Sequence, residues 1–152
     1  MKLRFFHRNK FRFFFVFIIC SFFLANEGFS QNIDSQSKLS SVAFVQGAEA
    51  FKKGEWISSV FLFRKALTYS ENYNAETLYM LITAEMYAGE YKSAFNDCEQ
   101  FIQNFYDSPY ISYILYHKGR ALFYLGEYEK AILVLSDYCH QYPEHEMYAA
   151  AL

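Results

Sequence analysis

One four-residue phrase occurs three times in this chain: Lys53-Gly54-Glu55-Trp56, Ala88-Gly89-Glu90-Tyr91 and Leu125-Gly126-Glu127-Tyr128. The three glycines stand 35 and 37 residues apart. Three residues beyond each aromatic comes a small side chain, Ser59, Ala94 or Ala131, and four residues further Phe63, Cys98 or Leu135. Seven residues before two of the glycines stands another glycine, Gly47 and Gly119, where the middle copy has Ile82. A fixed period of this length, kept in phase three times, restricts the chain to a repeat architecture in which each unit covers its apolar face with the next.

Between the phrases apolar residues recur at the helical period, which predicts helices at 41–53, 56–69, 75–88, 91–104, 110–125 and 128–142, with turns at 70–74 and 105–109. Gly54, Gly89 and Gly126 end the first helix of each pair, where the left-handed conformation is least strained without a Cβ. Two antiparallel helices approach closely only where side chains are small, and Gly47, Ala94, Gly119 and Ala131 supply those contact points. Trp56, Tyr91 and Tyr128 then plug the closed end of each hairpin. Asp107-Ser108-Pro109 reads as a helix start, with capping side chains and a proline suited to the first turn. Residues 31–40 lack apolar periodicity and read as a flexible lead.

These features resemble the tetratricopeptide repeat, with its small residue in the first helix, Gly-x-aromatic turn, Ala-x-x-x-Phe segment and closing proline. The resemblance covers residues 41–152. It is fullest in the third unit, which keeps Gly119, Gly126, Tyr128, Ala131 and Pro143; Glu71 and Tyr106 replace the proline in the first two. It implies an all-α fold, a right-handed superhelical stack of antiparallel helix pairs forming an α-solenoid of about three units, at 41–74, 75–109 and 110–145. Shifting the chain by 37 residues lays Tyr142–Leu152 on Phe105–Leu115, so a fourth unit begins at 146–152. Two readings stay open there: a piece of a longer protein, or a stunted cap that leaves the last apolar face open to self-association.

The first thirty residues are of another kind. Lys2, Arg4, Arg8, Lys10 and Arg12 precede an apolar run, Phe13 to Ala25, which is the outline of an export signal. Thirteen residues fall short of the roughly 20 that span a bilayer as a helix, so cleavage is favoured over a retained anchor. Gly28-Phe29-Ser30 places small residues where a signal peptidase inspects them, and the cut is expected between Ser30 and Gln31. Cys20 is a weak candidate for lipidation, because Ile19 stands where a small residue is wanted. The whole chain has 14 basic and 16 acidic residues; the segment holds 5 and 1, leaving 9 and 15 beyond it. A net negative remainder without a Lys/Arg block gives no support for nucleic acid as a partner, and membrane contact is expected only through the signal or a lipid on Cys20.

No constellation asks for catalysis, a metal or a cofactor: there is no phosphate-cradling glycine loop, no His-Glu-x-x-His and no Cys-x-x-Cys. Cys98 and Cys139 lie on apolar stripes and read as buried free thiols. His140 and His145 flank Pro143 and read as solvated loop residues. What remains is the concave surface lined by first helices, where the resemblance places a protein or peptide partner. The helical period selects Phe44, Ala48 and Phe51; Tyr79, Thr83, Met86 and Tyr87; and Tyr113, Tyr116, Arg120, Phe123 and Tyr124. Aromatic rings and arginine bury large areas at small entropic cost, so Tyr79, Met86, Tyr87, Tyr113, Tyr116, Arg120, Phe123 and Tyr124 form the expected partner-binding trough. Phe44, Phe51 and Phe123 fit core and groove equally. The family's clamp for a terminal carboxylate is missing, since Phe44, Ala48, Met80, Tyr113 and His117 occupy its places. The export signal and long inter-unit turns resemble the bacterial envelope branch, which includes the lipoprotein assisting β-barrel assembly and the periplasmic partner of Tol–Pal. The expected function is therefore a non-catalytic interaction scaffold of the envelope. Outer-membrane protein assembly, or a spacer for a downstream domain, are the alternatives.

Overall fold

The computed structural model describes residues 35–69 and 74–152; the expected export signal with Cys20, the expected cut after Ser30 and Glu71 lie outside them. Among the described residues seven helices follow one another: α1 (35–52), α2 (Trp56–Tyr69), α3 (Ala75–Ala88), α4 (Tyr91–Asn104), α5 (Ile111–Tyr124), α6 (Tyr128–Gln141) and α7 (Tyr148–Ala151). There is no strand among the described residues. The helices pack in consecutive antiparallel pairs, each touching the next along the chain from α2 to α7, with α3 also reaching α5.

The repeated phrase ends each first helix as expected. Gly54, Gly89 and Gly126 have φ of 75°, 80° and 79°, and they are the positive-φ residues among those described. At the contact points the backbones approach without room for more. A Cβ on Gly119 would overlap the Leu135 side chain, and one on Gly47 would meet the Phe63 ring at 3.0 Å. Ser59, in the place of the repeat's alanine, is fully buried and donates its hydroxyl to the Gly47 carbonyl at 3.0 Å, so its polar atom is satisfied. Around these contacts lies a core of Val60, Phe63, Leu78, Leu81, Ile82, Ala84, Cys98, Phe101 and Ile114. Phe63 and Phe101 are fully buried, and such rings each contribute about 1.5–3 kcal/mol by leaving water.

Charges tie neighbouring units together. Arg64 on α2 donates to Glu85 on α3 at 2.5 Å and to Glu90 at 3.1 Å, and Lys118 on α5 pairs with Glu99 on α4 at 2.6 Å. Two expectations need correction. The lead ascribed to residues 31–40 is helical from residue 35, where α1 runs on with its first five residues exposed; Ser40 donates to the Ala66 carbonyl at 2.8 Å and fixes it to α2. Pro109 precedes α5 and does not enter its first turn: the Ser108 carbonyl accepts from the Ile111 amide at 3.1 Å, so the helix starts two residues past the proline. Asn74 caps α3, accepting from the Thr77 amide at 2.7 Å.

Candidate functional site

The first helices α3 and α5 carry the aromatic residues singled out in the sequence, and packing sorts them into separate clusters. Tyr87, at the last turn of α3, is 58% exposed and lies flat on Trp56, with centroids 4.7 Å apart and planes 20° apart. Phe51 meets both rings edge-on. One unit on, Tyr124 repeats this: it stacks on Tyr91 at 4.4 Å and 13°. The aromatic after each of the first two turn glycines is thus the platform for the last tyrosine of the next first helix. Tyr79 forms a third cluster, stacked on Tyr110 at 4.6 Å and tilted against Tyr113 at 5.7 Å; the Tyr113 hydroxyl donates to Glu146 at 2.7 Å.

Two of the eight expected trough residues lie deeper than the period suggests. Met86 is only 5% exposed and packs with Ala94 and Ala121 between the second and third units, so it offers no surface. Tyr116 is 6% exposed, yet its ring still floors a groove. That groove, about 660 Å³, runs along α5 and α6 and ends against α7; Tyr116, Arg120, Phe123 and Tyr124 form one wall. The Arg120 guanidinium stands over both the Tyr116 and Tyr124 rings at 5.5 and 5.7 Å. Phe44 and Phe51 are half-buried and packed against the core, whereas Phe123 is exposed. The helical period missed the contribution of α6: Tyr128, Ile132 and Leu135 form the opposite wall. Tyr128 was legible as a turn aromatic, but nothing local marked it as a groove residue.

Two buried polar groups on α3 and α5 are shifted from their ordinary ranges. His117 on α5 is held far below its ordinary range, to about 4, by burial and by the Arg120 charge. Its Nε2 faces the Thr83 hydroxyl at 3.5 Å, and its Nδ1 has no hydrogen-bond partner among the described residues. Glu85 is pushed up to about 8: burial dominates, the Arg64 bond opposes it, and Asp97 adds to it. His145 Nδ1 receives both the Tyr138 hydroxyl at 2.6 Å and the Met147 amide at 3.3 Å, which anchors the turn leading to α7. Among the described residues no three His, Cys, Asp or Glu side chains gather as metal ligands, and no helix is long and apolar enough to cross a membrane. Cys98 lies in the core and Cys139 is half-buried in the groove wall, both as free thiols.

Residues 113–145 match the family model described as tetratricopeptide repeat. No curated protein matches the sequence. Among solved structures, the chain is similar to the Arabidopsis OM64 TPR domain, with a TM-score of 0.65 and 18% identity over 76% of this chain and 93% of that one. It is also similar to the second TPR domain of human RPAP3 in complex with an HSP70 peptide, with a TM-score of 0.63 and 18% identity over 79% and 94% of the two chains. The first TPR of Spaghetti (RPAP3), bound to an HSP90 peptide, gives 0.63 and 18% over 75% and 87%. With its repeated turn, its antiparallel pairs and these likenesses, the chain has the fold of tetratricopeptide-repeat domains, and residues 113–145 are where it matches that repeat's model.

Proposed function

We propose that this protein is a non-catalytic scaffold that holds a partner polypeptide on the aromatic face of its first helices, and that it works after export, in the bacterial cell envelope. The observation that carries the binding reading is the exposure of Tyr87, Phe123 and Tyr124 on that face, with Arg120 held over two of its rings. Such rings present large area with little rotamer entropy to lose, and arginine adds a charge that is cheap to desolvate against them. Two structural neighbours carry peptides, which supports a peptide-like partner here. The face is aromatic where a terminal-carboxylate clamp would be cationic, so an internal, apolar segment of the partner is the better fit.

Replacing Tyr87 and Tyr124 together by alanine is expected to weaken partner capture from envelope extract at least about tenfold, a loss of two aromatic contacts, while circular dichroism stays helical. Unchanged capture would move the interface to the other side of the stack, where Phe61 and Leu133 are exposed. For export, the mature protein is expected to begin at Gln31; a lipid-bearing start at Cys20 would overturn cleavage after Ser30 and favour a role in β-barrel assembly.

A further inference from the structure

Four residues before each turn glycine stands a buried residue of the first helix: Ala50, Glu85 and Leu122. Two of the three are apolar, and the middle one is a carboxylic acid with no exposed surface. A charge in that register costs stability that alanine or leucine would not, so its surroundings decide what it does. Glu85 stands where the first hairpin (α1, α2) meets the second (α3, α4). Its Oε1 accepts from Arg64 on α2 at 2.5 Å, and the same guanidinium nitrogen reaches Glu90, in the turn after α3, at 3.1 Å. The Glu85 carbonyl accepts the Gly89 and Glu90 amides, so this residue also closes the end of its helix. Its Oε2 is buried with no hydrogen-bond partner among the described residues.

The other elements around it add acid and little base. From α4 come Asp97, which raises Glu85, and the buried thiol of Cys98, which Glu85 raises in turn. Lys118 on α5 is turned to Glu99 of α4 at 2.6 Å. On α1, which reaches α3 through Phe51, the charges Glu49, Lys52 and Lys53 are exposed. Arg64 therefore serves three acids at once, Glu85, Glu90 and Asp97. We propose that Arg64, Glu85, Glu90 and Asp97 form a proton-operated joint between the first and second hairpins, closed while Glu85 is neutral and loosened when it ionises. Ionised, three negative charges share one guanidinium, and one of them has an oxygen buried without a donor. Burial, with Asp97 adding to it and the Arg64 bond opposing, raises the Glu85 value from 4.5 to about 8. The joint is thus fully closed below 4.5 and loosens as pH rises toward 8. Arg64 and Glu90 are partly exposed, so the cluster borders solvent and can exchange its proton there.

Loosening has a place to show itself. Two residues past Glu85, Tyr87 lies flat on Trp56 of α2, and parting of the hairpins separates that stack. Trp56 is the single tryptophan of the chain, so its emission reads this joint alone. In the intact chain, quenching of Trp56 by acrylamide, a neutral probe, is expected to increase from mild acid to about pH 9 with a midpoint at about 8, while circular dichroism stays helical. Glu85→Gln, which keeps the shape without the charge, is expected to give a flat curve. Asp97→Asn, at a half-buried position of α4, is expected to lower the midpoint by about one unit, because the acidic neighbour is gone. A merely structural role for Glu85 predicts no such shift. Quenching that stays flat in the unaltered chain, or that follows the same curve in Glu85→Gln, would overturn the proposal. So would a midpoint unmoved by Asp97→Asn, or helicity lost in step with the quenching, since the stack would then titrate as a whole. None of these readings requires a partner, so the joint stands or falls apart from the binding face.

Discussion

A methyl group on Gly119 has nowhere to go. Its Cβ would overlap Leu135, whereas on Gly47 it would press the Phe63 ring at 3.0 Å. Gly→Ala in a helix gains up to about 1 kcal/mol in propensity, but overpacking costs about 1–3 kcal/mol, so the contact decides. Gly119→Ala is expected to lower the urea midpoint clearly, and Gly47→Ala less; the reverse order would show that Leu135 swings away freely. Protonation sets a second residue-scale test. His117 has its folded value depressed to about 4 from an ordinary 6.5, so its contribution to stability is present above 6.5 and is lost as pH falls toward 4. Glu85 runs the other way: its value is raised from 4.5 to about 8, so its contribution is present below 4.5 and is lost as pH rises toward 8. His117→Gln is expected to flatten the acid limb of a stability profile, and Glu85→Gln the limb from 4.5 to 8. Neither group was legible in the sequence as a titrating site. Both occupy apolar stripes where only the neighbouring unit decides burial, and the one hint was a carboxylate amid the apolar run of α3.

At the scale of elements, the sequence predicted α2, α3 and α4 to the residue and α5 and α6 within one residue at each end, because the turn glycines and the small contact residues are local signals that repeat. The helical state of residues 35–39 was not legible for a physical reason: they are exposed, so no apolar periodicity marks them, and the helix extends beyond its packed part. Met86 failed as a surface residue for the opposite reason. Its position on α3 faces outward by period alone, and it is Ala94 and Ala121 from neighbouring helices, with Tyr91 and Phe95 packed against them, that close over it. The stacked pairs Trp56–Tyr87 and Tyr91–Tyr124 give the elements their register. A double-mutant cycle on Tyr91→Ala and Tyr124→Ala is expected to return a coupling of about 0.5–1.5 kcal/mol, as for other aromatic pairs, measured by chemical denaturation. A coupling near zero would mean that the rings merely cover the turn and do not hold one unit to the next.

For the whole molecule, a stack is held by each hairpin's own packing and by its neighbours, so protection should follow the number of covered sides. α4 lies between α3 and α5, while α6 has α5 on one side and only the four residues of α7 on the other. Tyr128, Ile132 and Leu133 on α6 are exposed, whereas α4 places Ala94, Cys98 and Phe101 fully in the core. A helix as short as α7 is far below the roughly 12–15 residues at which isolated helices become marginal, so it persists only through the His145 and Glu146 contacts that pin its turn. Hydrogen exchange read helix by helix on a monomeric sample is therefore expected to show α6 and α7 opening before α4, by local fluctuations and not by global unfolding. Protection of α6 equal to that of α4 would show that α7 and its pinned turn already close the stack.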